Sequence, residues 1–279
     1  MKPKIFTITI CRNEDVWIGQ TIRAWLPFAE TMFVQDTGST DGTMGALCDI
    51  VAEGSGKVMV GQYAMDVGAA MVERQRLIER IPKDHDYWIV VLDADELWDE
   101  ENIRALIKIM GDPEVDAIGV RPVPIGWDGE SVFYTSPLEP FDPEDAKRFT
   151  TPFWCPKVTT RAYRSTRLDL MAQPEWGKES YIVKLDPARH RLTPDYKHEG
   201  EPDGYVCCMY TGRTKWTDLW YSHMSYVTRS SKWREIGQVP GSNALDRCRA
   251  RGPAEFQLPP THRVSDTVKA VLDGLERPW

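Results

Sequence analysis

Three carboxylates that follow an apolar run near the middle of the chain are the residues best suited to do chemistry. The run Trp88–Leu92 is rich in β-branched residues and predicts a strand buried on both faces, and Asp93, Asp95 and Glu96 come directly after it. Carboxylates this close repel one another unless a cation or strong hydrogen-bond donors lie among them. In an extended segment Asp93 and Asp95 point to the same side, which suits Mg²⁺ or Mn²⁺ with bound phosphate. A solvated acidic turn is the alternative for a motif this short.

Strand and helix patterns alternate on either side of this motif. Alternating or β-branched runs predict strands, and apolar residues at a helical spacing predict helices. The predicted strands cover 4–10, 32–35, 57–60, 88–92 and 116–120, and the predicted helices cover 16–26, a segment from about 41, 67–81 and 100–110. This order indicates an α/β fold: a doubly wound, mostly parallel sheet with helices on both faces.

Polar residues follow three of the predicted strands. Arg12 and Glu14 follow the first strand, Asp36 the second, and the Asp-X-Asp motif the fourth. Because open α/β sheets bind ligands at the carboxyl ends of their strands, these clusters should converge at one edge. The sequence TGSTDGT after Asp36 predicts a tight turn in which Ser39 or Thr40 caps the next helix. The chain has neither GxxxxGK[ST] nor GxGxxG, which disfavours P-loop and dinucleotide-binding proteins.

Composition limits the class of protein. The 279 residues carry a net charge of −8, which disfavours general nucleic-acid or membrane coating, and no apolar run approaches the length of a membrane span. The N-terminal sequence MKPKIFTITICRNE shows no signal-peptide pattern. The six cysteines have no CxxC spacing and are expected to be reduced thiols. Together these features predict a cytoplasmic globular protein.

The pattern changes at about Pro122, where prolines and aromatic residues become dense and periodicity fades. We predict one ligand-binding half over 1–121, a loop-rich second half of the same domain over 122–230, with strands at 205–210 and 219–226, and a C-terminal extension over 231–279. The stretch Lys147–Leu168 holds six basic residues and no acidic one. It is either a solvated rim or a groove for an anionic acceptor, and charge reversals at Arg161 and Arg164 would separate the two. A further basic cluster is formed by Arg247, Arg249 and Arg251.

Several segments together resemble the family-2 glycosyltransferases of the GT-A fold. They are TITICRNEDVWIGQTI, FVQDTGSTDGT, the ERQ around Arg74, WIVVLDADELW, YKHEG and YSHMSYV, and they span most of residues 4–227 in that order. The DTGSTDGT and LDADE motifs are the most specific of these. The resemblance implies that 1–121 binds a nucleotide-sugar, taken here as UDP-linked, and that 122–230 binds an acceptor whose hydroxyl receives the sugar.

The resemblance also implies roles for single residues. The donor-binding set is Arg12, Glu14, Asp36, Arg74, Asp93 and Ala94, and the metal-binding set is Asp93, Asp95 and His223. Asp36 is similar to the family aspartate that bonds the nucleotide base, and Arg74 lies near a phosphate contact for which Arg76 is the alternative. His223 favours Mn²⁺ over Mg²⁺, because Mn²⁺ accepts an imidazole ligand more readily. Apart from the resemblance, a histidine in a strand is also explained as a satisfied core residue.

An inverting transfer needs a general base for the acceptor hydroxyl. Glu199 stands next to His198 and resembles the glutamate of a His-Glu pair in some relatives, so it is the candidate base. Asp195 and Glu201 are its rivals in the same acidic segment, which is otherwise explained as an exposed loop. A retaining mechanism would need no such base.

We therefore expect a metal-dependent, inverting glycosyltransferase whose acceptor is a glycan, a lipid, a protein or a modified nucleic acid. A nucleotidyltransferase of similar build is the alternative enzyme, but it would carry a glycine-rich loop where this chain has CRNE. A non-catalytic glycan- or nucleotide-binding protein is the alternative outside enzymes. The presence of Asp36, Asp93 and Asp95 together disfavours it.

Overall fold

A single large sheet forms the framework of the computed structural model, which describes residues 3–54, 56–63, 70–82, 86–127, 132–134, 159–164, 171–172, 181–184, 205–207, 213–232, 234–236 and 266–275. Its strands are β1 (Lys4–Cys11), β2 (Thr31–Asp36), β3 (Val58–Gln62), β4 (Tyr87–Asp93), β5 (Glu96–Leu97), β6 (Ala117–Trp127), β7 (Val132–Tyr134), β8 (Thr159–Arg164) and β12 (Thr214–Tyr226). A second sheet holds β9 (Met171–Ala172), β10 (Tyr181–Lys184) and β11 (Tyr205–Cys207). The helices are α1 (Ile18–Trp25), α2 (Thr43–Glu53), α3 (Ala70–Arg80), α4 (Glu100–Met110) and α5 (Asp266–Asp273).

The large sheet runs in the order β3-β2-β1-β4-β8-β6-β12-β5, with β7 beside β6. Strands β3, β2, β1 and β4 are all parallel, and β6 is parallel to β12. Helices lie between the successive parallel strands, as a doubly wound arrangement requires. The α/β fold class predicted from the sequence is therefore confirmed.

The carboxyl ends of three strands lie side by side in the parallel part of the sheet. Cys11 at the end of β1 pairs with Asp36 at the end of β2, and Ile10 pairs with Asp93 at the end of β4. Strand β4 is buried along its length up to Asp93, as its apolar run predicts. The expected convergence of the polar clusters at one edge is thus present in the ladder itself.

Strand β8 runs antiparallel between β4 and β6, where Ala162 pairs with both Val90 and Ile118. This strand is the described part of the basic stretch that the sequence assigned to a solvated rim or an acceptor groove. The solvated rim is wrong at Arg161, whose exposed fraction is only 4%, and the acceptor groove stays a prediction. The physical reason is that TTRAYR alternates, so its side chains divide between two faces of a central strand rather than covering one surface.

Strand β6 extends to Trp127 through Pro122 and Pro124, where the sequence predicted the start of a loop-rich region. The ladder with β8 pairs residues 117–120 and that with β7 pairs 125–127, so both prolines lie between these ladders. A proline lacks an N–H and is tolerated where one edge of a strand is unpaired. Across the other edge β6 pairs with β12, which begins at Thr214, earlier than predicted.

Two apolar clusters hold this framework together. The larger one packs α1 and α4 on the central strands and includes a column of aromatic rings from Trp25 through Trp98 to Tyr221. The smaller one packs α5, through Val268 and Leu272, on residues of β6 and β12. No helix in the described part of the chain is long and apolar enough to cross a membrane.

Candidate active site

The loops that follow β1 and β2 are tied together by their side chains. The backbone N–H of Asn13 donates to Ser39 Oγ at 2.8 Å, and the N–H of Thr40 donates to Asn13 Oδ1 at 2.8 Å. Asn13 has a φ of 58°, a left-handed conformation that asparagine tolerates better than most residues. Arg12, which precedes it, is exposed at the end of β1. The two predicted nucleoside-facing loops therefore form one connected surface.

Asp36 is fully buried and organises the turn that follows β2. Its Oδ1 accepts from the backbone N–H of Ser39 at 3.1 Å, and its Oδ2 accepts from Gln62 Nε2 at 3.2 Å. The expectation that Ser39 or Thr40 caps α2 is wrong, because Ser39 turns back to Asp36. Asp41 satisfies the helix start instead, since its Oδ1 accepts from the N–H of Thr43 at 2.9 Å.

Asp93 lies between two arginines. Arg74 of α3 donates from Nη2 to Asp93 Oδ1, and Arg161 of β8 donates from Nη2 to Asp93 Oδ2 at 2.6 Å. The same Nη2 of Arg161 also donates to Oε1 of Glu96, which is fully buried. Arg76 lies elsewhere, in contact with Glu73 and Tyr63. The structure therefore places Arg74, and not its alternative, beside the Asp-X-Asp motif.

Asp95 reaches a separate set of partners. It lies in the turn between β4 and β5 rather than in an extended segment, so the expectation of strand alternation between Asp93 and Asp95 is wrong. His223 of β12 pairs with Glu96 across β5, and the N–H of Met224 donates to the carbonyl of Asp95 at 2.9 Å. This pairing brings His223 Nε2 to 3.5 Å from Asp95 Oδ1. Arg229 Nη1 lies 3.8 Å from Asp95 Oδ2.

Glu14 is buried behind Asp95, next to the segment 228–231 that follows β12. Its Oε1 lies 3.0 Å from Arg229 Nη1, and among the described residues its Oε2 has no hydrogen-bond donor. The segment is held in place through its backbone: Trp17 Nε1 donates to the carbonyl of Thr228 at 2.8 Å, and the N–H of Ser231 donates to Asp15 Oδ1 at 2.7 Å. Arg229 therefore extends from an anchored backbone toward two carboxylates.

The turn that carries the motif is anchored from α1. The hydroxyl of Thr21 lies 2.9 Å from the carbonyl oxygens of both Ala94 and Glu96, and Thr21 is fully buried. Ala94, assigned to the donor-binding set by resemblance, is itself buried in this turn. The geometry of the Asp-X-Asp turn is thus set by a hydrogen bond from a neighbouring helix.

The two aspartates are both acidic in spite of their burial. Burial raises the pKa of Asp93, but Arg161 and Arg74 outweigh it and hold the pKa well below its usual range. Burial likewise raises the pKa of Asp95, and the interaction with His223 more than compensates, so the pKa is lowered. Both carboxylates are therefore ionised at neutral pH.

The pKa values of three neighbouring residues are raised instead. Burial lowers the pKa of His223, but the attraction of Asp95 prevails and raises it to about 9. Burial, opposed by Arg161 and reinforced by Asp93, raises the pKa of Glu96 to about 8. Burial and the charge of Asp95 also raise the pKa of Glu14 well above its usual value. Strongly shifted groups gathered at strand ends are typical of functional sites.

Two sets of side chains in this cluster have donor atoms suited to a divalent cation. Ligands that each stand ~2.1 Å from one ion lie no more than ~4.2 Å apart, so the 3.5 Å between Asp95 Oδ1 and His223 Nε2 fits a shared ion. A second set is Asp93, Glu96 and His223, whose ligand atoms all lie within 4.8 Å of one another. An imidazole with carboxylate oxygens is a donor set that Mn²⁺ accepts.

Three residues of the cluster were absent from the predicted sets. Glu96 follows the motif directly and could have been included on that ground. Arg161 could have been found from the alternation of TTRAYR, but Arg229 carries no signal in the sequence. The candidate bases Glu199, Asp195 and Glu201 and the basic cluster at 247–251 lie outside the described residues, so their roles stay predictions.

Comparison with known proteins bears on the identity of this site. Residues 7–166, more than half of the chain, match the family described as glycosyl transferase family 2. No curated protein matches the chain.

The chain is also similar to several solved structures. One is S. aureus TarS, with 15% identity and a TM-score of 0.45 over 62% of this chain and 31% of that one. Another is the mannosyltransferase PcManGT from Pyrobaculum calidifontis in complex with GDP-Man and Mn²⁺, with 15% identity and a TM-score of 0.45 over 98% of this chain and 68% of that one. A third is glucosyl-3-phosphoglycerate synthase from Mycobacterium tuberculosis, with 16% identity and a TM-score of 0.32 over 44% of each chain.

The lengths covered differ among these structures. The chain spans less than a third of TarS, and somewhat over two thirds of PcManGT. The family match includes the ends of β1, β2 and β4 and the strand that carries Arg161. The chain belongs to glycosyl transferase family 2.

Proposed function

We propose that this chain is a divalent-cation-dependent glycosyltransferase that moves a sugar from a UDP-linked donor to a hydroxyl acceptor with inversion. The observation that carries the proposal is the pairing of Asp95 with His223, 3.5 Å apart, beside the adjoining carboxyl ends of β1, β2 and β4. Membership in glycosyl transferase family 2 supports the reaction class. The acceptor is a hydroxyl of a glycan, a lipid, a protein or a modified nucleic acid.

Asp95 and His223 would hold the cation, with Mn²⁺ preferred over Mg²⁺ because of the imidazole. When bound, such an ion stabilises the negative charge that develops on the departing diphosphate. One carboxylate and one imidazole leave most of the coordination shell to phosphate oxygens and water. Asp93, held by two arginines, is suited to accept hydrogen bonds from sugar or ribose hydroxyls.

The remaining donor contacts are assigned to the loops after β1 and β2. Asp36 is proposed to accept a hydrogen bond from the N–H of uracil, and Arg12 and Glu14 to border the nucleoside. Arg74 acts through Asp93, since its Nη2 is already bonded to that carboxylate. Glu199, with Asp195 as its rival, is proposed to take the proton of the acceptor hydroxyl.

Donor hydrolysis tests the proposal without knowledge of the acceptor. The protein is incubated with a panel of nucleotide-sugars linked to UDP, GDP, CDP or dTDP, with Mn²⁺ or with EDTA, and release of the nucleoside diphosphate is measured. Hydrolysis of a UDP-sugar that requires Mn²⁺ is the expected result. Absence of Mn²⁺ binding and of hydrolysis with every donor would overturn the proposal.

A further inference from the structure

Arg161 lies in β8, and it is the arginine through which this strand contacts the carboxylates of the Asp-X-Asp turn. Because Ala162 pairs with Val90, Arg161 stands one residue closer to the carboxyl end of β4. Its Nη2 lies 2.6 Å from Asp93 Oδ2 and also contacts Glu96 Oε1. A single guanidinium nitrogen therefore joins the first aspartate of the motif to the glutamate that follows it.

The position of this guanidinium is determined by aromatic packing. Arg161 Nε donates to the hydroxyl of Tyr221 at 3.2 Å, and its guanidinium carbon lies 5.4 Å from the centre of the Tyr221 ring. Tyr221 stacks on Trp98 with ring centres 5.0 Å apart, and Trp98 meets Trp25 of α1 edge-on at 5.3 Å. These rings are buried, so Arg161 has little freedom to swing away from the carboxylates.

The carboxylates of the motif consequently differ in their availability to a cation. Both oxygens of Asp93 accept from arginines, one from Arg74 and one from Arg161. The side-chain partners of Asp95 stand farther off, His223 at 3.5 Å and Arg229 at 3.8 Å. A divalent ion that binds Asp93 meets the positive charge of two directly bonded guanidinium groups, whereas at Asp95 the cationic partners stand 3.5 and 3.8 Å from the carboxylate.

We propose that Arg161 is a positioning residue that ties Asp93 to Glu96 and thereby directs the divalent cation to Asp95 and His223. The inference rests on the proposed function. Without the guanidinium, Asp93 Oδ2 and Glu96 Oε1 would both lose a donor. Together with His223 they would form the alternative ligand set whose atoms lie within 4.8 Å of one another. Removal of Arg161 should therefore move the ion rather than abolish its binding.

The test is a double-mutant cycle on Mn²⁺ affinity, measured without substrate from the signal of free Mn²⁺ in electron paramagnetic resonance. In the wild-type background, Asp95→Asn should weaken Mn²⁺ binding by about 100-fold or more, since removing the charge of a direct ligand costs more than the ~10–100-fold typical of outer-shell residues. In the Arg161→Met background the same change should cost less than about threefold, because the ion no longer depends on Asp95.

Two matched variants test whether the loss of the Arg161 guanidinium is what moves the ion. Arg164→Met makes the same substitution in the same strand, but Arg164 bonds Asp86 and not the carboxylates of the motif. In this variant Asp95→Asn should therefore weaken Mn²⁺ binding as much as it does in the wild type. Arg161→Met combined with Glu96→Leu removes the ligand oxygens of Glu96 from the alternative set, so the loss of Mn²⁺ affinity on Asp95→Asn should return to the wild-type size. Thermal melts by circular dichroism identify the folded variants. If Arg161→Met is unfolded, Arg161→Lys replaces it. Its single ammonium has no rigid fork to bond the Tyr221 hydroxyl and the two carboxylates together, so the dependence of Mn²⁺ affinity on Asp95 should fall at least about threefold.

The outcomes separate this inference from the proposed function. Equal loss of Mn²⁺ affinity on Asp95→Asn with and without Arg161 would overturn the inference while leaving the glycosyltransferase proposal intact. If Asp95→Asn still costs less than about threefold in Mn²⁺ affinity in the Arg161→Met, Glu96→Leu variant, the inference would also be overturned. Failure of the wild-type protein to bind Mn²⁺ and to hydrolyse any nucleotide-sugar would overturn the proposed function, and the inference with it.

Discussion

The Nε2 atom of His223 lies 3.5 Å from Oδ1 of Asp95, although the two residues are far apart in the chain. The contact exists because β12 pairs antiparallel with β5, which sets His223 opposite Glu96. Next to this pair, the N–H of Met224 donates to the carbonyl of Asp95 and extends the contact between the two strands. A backbone ladder, rather than a flexible loop, therefore sets the distance between the proposed ligands.

The first prediction concerns the pH dependence of cation binding. The pKa of His223 is raised to about 9, so the imidazole is protonated at neutral pH, and a divalent ion must displace that proton. The affinity for Mn²⁺ should therefore rise about tenfold per pH unit between about pH 6 and pH 8, and level off above about pH 9. Isothermal titration calorimetry in buffers of different ionisation enthalpy would measure both the affinity and the proton released.

His223→Gln is the control for this prediction. The amide offers a ligand oxygen without a titrating proton, so Mn²⁺ binding should be weaker and nearly independent of pH. In the absence of metal, the raised pKa means that the His223–Asp95 pair stabilises the wild-type fold below about pH 6.5. This stabilisation should disappear as pH rises through about 9. A wild-type affinity that stays constant over this range would contradict the assignment of His223 as a ligand.

The second prediction separates the two aspartates of the motif. Asp95→Asn preserves the shape of the side chain but removes the charge next to His223. Mn²⁺-dependent nucleotide binding should fall by about 100-fold or more, with the fold intact and the melting temperature lowered only by loss of the His223 pair. Asp93→Asn should lower the melting temperature more, because it leaves the buried Arg74 and Arg161 without their shared carboxylate. Calorimetry would measure nucleotide binding by both variants, and thermal melts would measure their stability. Unchanged nucleotide binding by Asp95→Asn would refute the proposed role of Asp95.

The third prediction concerns the base of the nucleotide. Uracil presents an N–H at N3, whereas cytosine presents only an acceptor there, so Asp36 should favour UDP over CDP. Asp36→Ala should cost about 1–3 kcal/mol of UDP binding, the range for a hydrogen bond to a charged group. Ser39→Ala is the control, since it removes the hydroxyl that bonds Asp36 but keeps the carboxylate. It should retain the preference for UDP, and equal affinities of the wild type for UDP and CDP would rule the role out.

The fourth prediction concerns the anchor of the motif turn. Thr21→Val keeps the volume of the side chain but removes the hydroxyl that lies 2.9 Å from the carbonyls of Ala94 and Glu96. The change should lower the free energy of unfolding by about 1–3 kcal/mol, since buried acceptors lose their donor. It should also weaken Mn²⁺ binding, because the turn that carries Asp95 loses its anchor. Urea denaturation and Mn²⁺ titration would measure the two effects.

Thr7→Val is the matched control for Thr21→Val. Thr7 is fully buried in β1, and its hydroxyl has no hydrogen-bond partner among the described residues. Its replacement should leave the free energy of unfolding unchanged or increase it, because no hydrogen bond is lost. If both valine variants lose the same stability, the hydrogen bonds of Thr21 do not anchor the turn.

Much of the parallel half of the molecule was predictable from the sequence. The apolar run before Asp93 predicts a buried strand, and the polar residues after β1, β2 and β4 predict a common edge. Both predictions hold, because parallel strands with helical connections must end on the same side of a sheet. The motif residues themselves were recognisable as candidates because the ligands of a divalent cation are limited to a few residue types.

The partners of these residues depend on contacts between segments that are distant in the chain. Insertion of β8 between β4 and β6 turns Arg161 from an expected surface residue into a buried link between Asp93 and Glu96. The fold of the segment after β12 brings Arg229 to Glu14 and Asp95. Local sequence patterns report which face of an element is apolar, but strand order and register depend on packing between distant segments. The sequence therefore identified the two aspartates of the Asp-X-Asp motif, and long-range strand pairing set which cationic side chains contact them.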